Sequence, residues 1–254
     1  MAEKGKLHGE AVGREGAGGP AGTPAPVLLQ SGEAGRYAAV IVAAGSGSRM
    51  GQDKVWLPLA GLPVVGHSLR AYAACPRVGT VVLVLAAHRL DDGRALLEKM
   101  GIPAVVVAGG ALRQDSVMRG LEAVGEADLV AIHDGARPFV TQPLILSCFE
   151  AAERHGAAVA AVPVRDTVKR VDPDGWILET LPQPELWAMQ TPQVFRRRLI
   201  QEAYGRLDRE VTDDAAAVEL LGHRVHVVPG DSFNLKLTTR EDLMVAEVLA
   251  GISR

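Results

Sequence analysis

Residues 37–59 read YAAVIVAAGSGSRMGQDKVWLPL, and the first half of this stretch decides the fold. Tyr37 to Ala44 is a short apolar run of strand length, rich in valine and isoleucine, and it breaks into the glycine turn Gly45-Ser46-Gly47-Ser48. Two cations, Arg49 and Lys54, follow within ten residues of the strand. A strand that empties into a glycine turn leaves backbone N–H groups unshielded, where they can hold phosphate oxygens. Neither common phosphate motif fits this turn. A P-loop needs GxxxxGK[ST], and here Gly47 is followed by Ser48-Arg49 and Gly51 by Gln52-Asp53. A dinucleotide fingerprint needs GxGxxG, and the third glycine would have to stand at Met50.

Outward from this stretch, short apolar runs alternate with helical patterns, the signal for βαβ units and a mostly parallel sheet. Strands are predicted at 79–86, 104–108, 128–132 and 157–164, and helices at 62–74, 90–100, 116–124 and 142–155. Runs this apolar suit strands covered on both faces, so the architecture is a three-layer α/β/α sandwich, and ligands belong beyond the carboxyl ends of the strands. After Val164 the pattern changes. Val168–Val171 and Trp176–Thr180 flank Asp172-Pro-Asp-Gly175, a turn sequence, and predict a protruding hairpin arm within about 165–190. Two strands alone are marginal in water, so the arm packs either on a second subunit or on its own domain. Residues 185–195 then lead into a helix at 196–207, and Val211-Thr-Asp-Asp214 opens another at 215–221. Short strands at 224–228 and 234–238 and a terminal helix at 240–252 complete the chain.

At 254 residues and 48% hydrophobic, the chain suffices for one substantial domain, 37–254. The net charge of −3 supplies no basic field for a nucleic-acid polymer but is compatible with a nucleotide. Cys75 and Cys148 sit in apolar helical patterns without CxxC or Cys/His spacing and read as buried thiols. No apolar run reaches the roughly eighteen residues of a membrane span. Residues 1–36 are Gly, Ala and Pro with scattered charges, a composition expected to be a disordered leader rather than a signal peptide. A cytoplasmic enzyme without a membrane partner is the expectation.

Four further polar clusters follow strands. They are Gly109-Gly110-Ala-Leu-Arg-Gln-Asp-Ser116, His133-Asp134-Gly-Ala-Arg137-Pro138, Arg165-Asp166-Thr167 and Asp231-Ser-Phe-Asn-Leu-Lys236. The first loop, AAGSGSRM followed by Lys54, resembles the signature of nucleotidyltransferases that join a sugar or polyol phosphate to a nucleotide. With GGALRQDSV, HDGARP, PVRDTVKR, LWAMQTPQVF, TDDAAAVE and NLKLTTRED in order, nearly everything from Tyr37 onward resembles the 2-C-methyl-D-erythritol 4-phosphate cytidylyltransferase family of the non-mevalonate isoprenoid pathway.

That resemblance implies a Rossmann-like fold and transfer of CMP from CTP to a polyol phosphate, with release of pyrophosphate. No covalent intermediate with the protein is needed, so catalysis rests on positioning and placed cations. Arg49, Lys54 and Lys236 match the family's charges on the reacting phosphates. Ala43, Ala44, Gly45, Gly47, Gly109, Gly110 and Ser116 match its nucleotide pocket, where small residues let the main chain approach the base. Asp134, Arg137, Thr167 and Gln183 match acceptor-binding positions, Thr167 on an arm that reaches into a neighbouring subunit of a homodimer. Mg2+ is implied on the triphosphate, held by phosphate oxygens and water, with no protein ligand named.

Three departures stand out. Asp53 precedes Lys54, Ala111 replaces an acidic residue after the glycine pair, and Gln183 stands where the family has an arginine for the acceptor phosphate. Glutamine brings no charge, so either Arg165, Lys169 or Arg170 compensates or the acceptor differs. The alternatives are a ribitol 5-phosphate cytidylyltransferase, a catalytically silent nucleotide-binding module, and a nucleotidyltransferase for another base. His133 is expected to be packed or paired locally.

Overall fold

The computed structural model describes residues 37–45 and 53–252. Its frame is a seven-stranded sheet made of β1 (Tyr37–Ala43), β4 (Val78–Leu85), β5 (Val105–Ala108), β6 (Leu129–Asp134), β7 (Ala157–Pro163), β10 (Trp187–Arg196) and β11 (His226–Pro229). The spatial order is β11-β7-β10-β6-β1-β4-β5. All pairings are parallel except those of β10, which runs antiparallel to both β6 and β7. The chain starts at the centre, builds outward through β4 and β5, then returns to the other flank of β1 with β6. That reversal leaves a crevice beyond the carboxyl end of β1, the usual ligand position in such sheets.

Strand alternation sorts the core into two layers. Ala39, Ile41 and Ala43 face α1 (Val64–Ala73), α2 (Leu90–Met100) and α4 (Gln142–His155), whereas Ala38 and Val40 face α3 (Arg113–Glu122), α5 (Arg197–Gly205) and α6 (Asp214–Leu220). Both faces are buried, which is why these strands read as continuous apolar runs. Helix ends follow local chemistry. The Thr141 hydroxyl caps α4 by accepting from the Leu144 amide, and the left-handed Gly156 closes it. A third cluster joins α7 (Arg240–Gly251) to the small hairpin β2 (Pro58–Leu59) and β3 (Leu62–Pro63) through Leu59, Val64, Leu237 and Ala246. Cys75 and Cys148 are buried free thiols. No helix among the described residues is long and apolar enough to cross a membrane.

The three-layer sandwich agrees with the sequence reading, and the differences are local. Residues 187–196, expected only to lead into a helix, form β10 in the heart of the sheet. Pro192 and three buried polar residues, Gln190, Thr191 and Gln193, hide its strand character. The ladder to β7 breaks between Met189 and Gln193, and the polar side chains find partners elsewhere: Gln190 Nε2 donates to Asp231 O (2.9 Å) and Gln193 Nε2 to Asp213 Oδ2 (2.9 Å). The strand predicted at 234–238 is absent. That segment is irregular and held from outside the sheet, with the Leu237 amide donating to Ala136 O (2.9 Å).

The arm is a separate two-stranded sheet, β8 (Lys169–Val171) against β9 (Ile177–Thr180), every residue of which is exposed. It is shorter than the 165–190 expected, because from Trp187 the chain is already in the central sheet. Its turn follows from Asp172, whose Oδ1 accepts from the amides of Asp174 and Trp176, and from Gly175 at φ 91°. The leader, 1–36, lies outside the described residues.

Candidate active site

Three loops meet at the carboxyl ends of β1, β5 and β6. The Gly109 amide donates to Leu85 O (2.7 Å), and the Gly135 amide donates to Val42 O (2.9 Å), so both loops are sewn onto neighbouring strand ends. A Cβ on Gly109 would stand 2.3 Å from Ala44 Cβ, and one on Gly110 would stand 2.2 Å from Asp115 Cβ. Only glycine permits this approach. The loop is held from three sides: the Ser116 hydroxyl accepts from the Gly110 amide (3.1 Å), Asp115 Oδ2 accepts from the Leu112 amide (2.9 Å), and Arg119 Nη1 donates to Gly109 O (2.6 Å). Ser116 also donates to Leu112 O (3.2 Å), so its hydroxyl is engaged in shaping the loop.

Ala43, Ala44 and Gly45 end the first strand beside this loop, with Gly45 exposed. Gly47 and Arg49 lie outside the described residues. Lys54 begins a short 3-10 turn, Lys54–Trp56, and is half-buried. Its acidic neighbour Asp53 is engaged by Arg89, whose Nε donates to Asp53 Oδ2 at 3.1 Å. Burial raises the Asp53 carboxyl, and the Arg89 hydrogen bond opposes that rise.

Asp134, Arg137 and Lys236 come together although Lys236 is about a hundred residues away in the chain. Lys236 Nζ is 2.8 Å from Asp134 Oδ2, Arg137 Nε is 3.7 Å from the same oxygen, and Arg113 Nη2 is 3.5 Å from Oδ1. Burial alone would raise the Asp134 carboxyl, but Lys236 and then Arg113 outweigh it and hold it well below the usual carboxylate range. Asp134 is therefore ionised throughout the neutral range, an acceptor of hydrogen bonds and never a donor.

The cluster rests on a buried polar frame. Arg137 Nη1 donates to Asn234 O (2.8 Å), and Asn234 Nδ2 donates to Thr191 O (2.8 Å). The Asp134 amide donates to Thr191 Oγ1 (3.1 Å). His133 is fully buried, its Nε2 3.2 Å from Arg137 O and its Nδ1 3.0 Å from Thr191 Oγ1. A carbonyl only accepts, so the Nε2 carries the proton and Nδ1 accepts from the threonine hydroxyl. Burial pushes this imidazole down to about 4. His133 is thus a neutral spacer between two strands.

Thr167 is exposed at the root of the arm. Gln183, expected to touch the acceptor, uses its Nε2 to donate to Val164 O (3.1 Å) and Arg165 O (2.6 Å), tying the two ends of the arm. An open cavity of about 330 Å³ lies there, lined by Pro163, Val164, Arg165, Asp166, Gln190 and Ser232. Arg165 Nη2 donates to Ser232 Oγ (3.0 Å) at its wall. Among the described residues no group of three or more His, Cys, Asp and Glu side chains gathers, and Asp134 already faces three cations. The described residues form no dedicated metal cage of side chains.

The family model for 2-C-methyl-D-erythritol 4-phosphate cytidylyltransferase matches residues 37–251. The chain belongs to that family. It is 44% identical over 217 residues to the 2-C-methyl-D-erythritol 4-phosphate cytidylyltransferase of Dehalococcoides mccartyi (strain CBDB1), covering 84% of this chain and 96% of the relative. It is 47% identical over 223 residues to that of Pelotomaculum thermopropionicum, covering 84% and 94%. A crystal structure of 4-diphosphocytidyl-2C-methyl-D-erythritol synthase from Anaerococcus prevotii superposes with a TM-score of 0.76 at 32% identity, over 84% of this chain and 95% of that one.

Within this cytidylyltransferase frame, sequence reasoning missed two groups. Arg113 and Asp214 were quoted in motifs without a role, yet they form a two-pronged ion pair beside Asp134. Thr191 and Asn234, which fix Asp134 and Arg137, also went unassigned. For Asn234, a polar residue between Phe233 and Leu235, that pattern was the available signal.

Proposed function

We propose that this protein transfers CMP from CTP to 2-C-methyl-D-erythritol 4-phosphate, giving 4-diphosphocytidyl-2-C-methyl-D-erythritol and pyrophosphate. The observation that carries this reading is the meeting of Asp134, Arg137 and Lys236 with the glycine-pair loop at one sheet edge, in a chain of the cytidylyltransferase family. An acceptor phosphate oxygen attacks the α-phosphorus in line. The bond between that phosphorus and the bridging oxygen breaks, and the electron pair leaves with pyrophosphate. Negative charge concentrates on the five-coordinate centre, so placed cations lower the barrier.

Lys236 is one such cation, with Lys54 and Arg49 supplied by the first loop. The backbone at Ala43 to Gly45, with Gly47, Gly109 and Gly110, forms the nucleotide cradle, whose shape Ser116 maintains. Asp134, an ionised acceptor, takes hydrogen bonds from polyol hydroxyls, and Arg137 balances its charge. The acceptor's phosphate approaches from the cavity at the arm root, where Arg165 supplies the charge that Gln183 lacks. Thr167 and the arm complete the site from a second copy in a homodimer. Mg2+, if it accompanies CTP, would be held by triphosphate oxygens and water and would neutralise phosphate charge.

The deciding experiment measures pyrophosphate release from CTP with methylerythritol phosphate and with ribitol 5-phosphate, side by side. Methylerythritol phosphate is expected to be preferred by tenfold or more in kcat/KM. A tenfold preference for ribitol 5-phosphate would overturn the acceptor, and no release with either would overturn the activity.

A further inference from the structure

Asp214 is completely buried and opens α6, yet it is ionisable. Its two oxygens receive Arg113 Nη1 (2.8 Å) and Nη2 (2.7 Å), and its Oδ1 also accepts from the hydroxyl of Tyr204 in α5. Burial would lower the Arg113 guanidinium, but Asp214 outweighs it and holds the group above its ordinary value. Arg113 therefore stays charged.

Helix stability does not explain this placement. Arg113 is the first residue of α3, at the positive end of the helix dipole, where a cation is disfavoured. Loop closure is handled by Asp115, Ser116 and Arg119. What Arg113 alone does is reach past Asp214 to Asp134 Oδ1 at 3.5 Å, on the side of that carboxylate opposite Lys236. Asp134 thus divides its attraction among Arg113, Arg137 and Lys236. Without Arg113 the carboxylate, already 2.8 Å from Lys236, would share its charge with Lys236 and Arg137 alone and hold the ammonium more tightly.

We infer that Arg113, anchored by Asp214 and Tyr204, is a positioning residue that limits the grip of Asp134 on Lys236 and so keeps Lys236 available to the reacting phosphates. This inference rests on the cytidylyl transfer proposed above. It accounts for the TDDAAAVE motif, whose first aspartate caps α6 while the second is turned inward to anchor an arginine of another layer.

Removing Arg113 alone strands a buried carboxylate and threatens folding, so the informative variant removes both charges. Arg113→Gln with Asp214→Asn is expected to melt within a few degrees of the parent and to keep KM for CTP within about threefold, while kcat falls about 10–100-fold. Tyr204→Phe, which only loosens the anchor, is expected to lower kcat by about two- to fivefold. A double variant with kcat within twofold of the parent overturns the inference, as does a loss of kcat that merely tracks loss of folded protein. Should the double variant not fold, Arg113→Lys decides, because a lysine cannot make the fork. Lowered kcat at unchanged melting temperature supports the inference, and unchanged kcat overturns it. If the parent transfers no CMP, the proposed reaction is wrong, and the positioning claim is read by 13C NMR of the Asp134 carboxyl. Its titration should move up by about one pH unit or more in the double variant, and an unmoved titration overturns the claim.

Discussion

The edge of the sheet at Asp134 ends strand β6 and the arm at 169–180 follows strand β7, and residues at or beside both places are matched to the acceptor, yet they are held very differently. At the sheet edge three residues are fixed by their own chain: Asp134 by Thr191, Arg137 by Asn234, Arg113 by Asp214. On the arm the strands bury nothing, and Trp176, Ile177 and Leu178 stand bare, Trp176 with 73% of its surface exposed. One exposed ion pair, Arg170 to Glu179 at 3.1 Å, crosses it. A two-stranded ribbon without a buried face is marginal in water. The sheet edge is therefore preorganised before any ligand arrives, whereas the arm strands bury no face of their own.

This contrast predicts a graded set of effects. The largest is on stability at the sheet edge. Asp134→Ala leaves the buried Arg137 without its carboxylate and should destabilise the fold by about 3–5 kcal/mol, read as a lowered urea midpoint. A loss under 1 kcal/mol would mean the cluster is far wetter than its burial indicates. Next is catalysis, where Lys236→Ala should lower kcat by about 10²–10³, with circular dichroism unchanged. An effect under threefold would remove Lys236 from the reacting centre.

Third is acid sensitivity. The unfolded chain takes up a proton on His133 near 6.5, and the folded one refuses it until about 4, so protons favour unfolding across that window. The contribution is fully present above pH 6.5, and about 3 kcal/mol of it is gone by pH 4. Asp134, depressed in the fold, loses its own contribution only at lower pH, as its carboxyl protonates. His133→Asn should flatten the slope between pH 6.5 and 4 in urea unfolding, and an unaltered slope would refute the assignment. The smallest effect is on the arm: Arg170→Ala should change stability by less than about 1 kcal/mol, since both partners are solvated. A larger loss would show the arm already packed within one chain.

Sequence by itself determined the layered α/β architecture, because strands buried on both faces must be apolar throughout and glycine must stand where a Cβ would have no room, as at Gly109 against the Ala44 side chain. It also put polar clusters at the strand ends, and resemblance singled out Asp134, Arg137 and Lys236, which the fold brings together. Tertiary structure alone decided that residues 187–196 are a central antiparallel strand, since Gln190, Thr191 and Gln193 are tolerable inside a sheet only because Asp231, His133 and Asp213 stand opposite them. It alone joined Arg113 to Asp214, 101 residues apart, and turned Gln183 onto the backbone of Val164 and Arg165. Apolar periodicity records which face of an element is buried, whereas the partner of a buried charge depends on which elements the fold brings side by side.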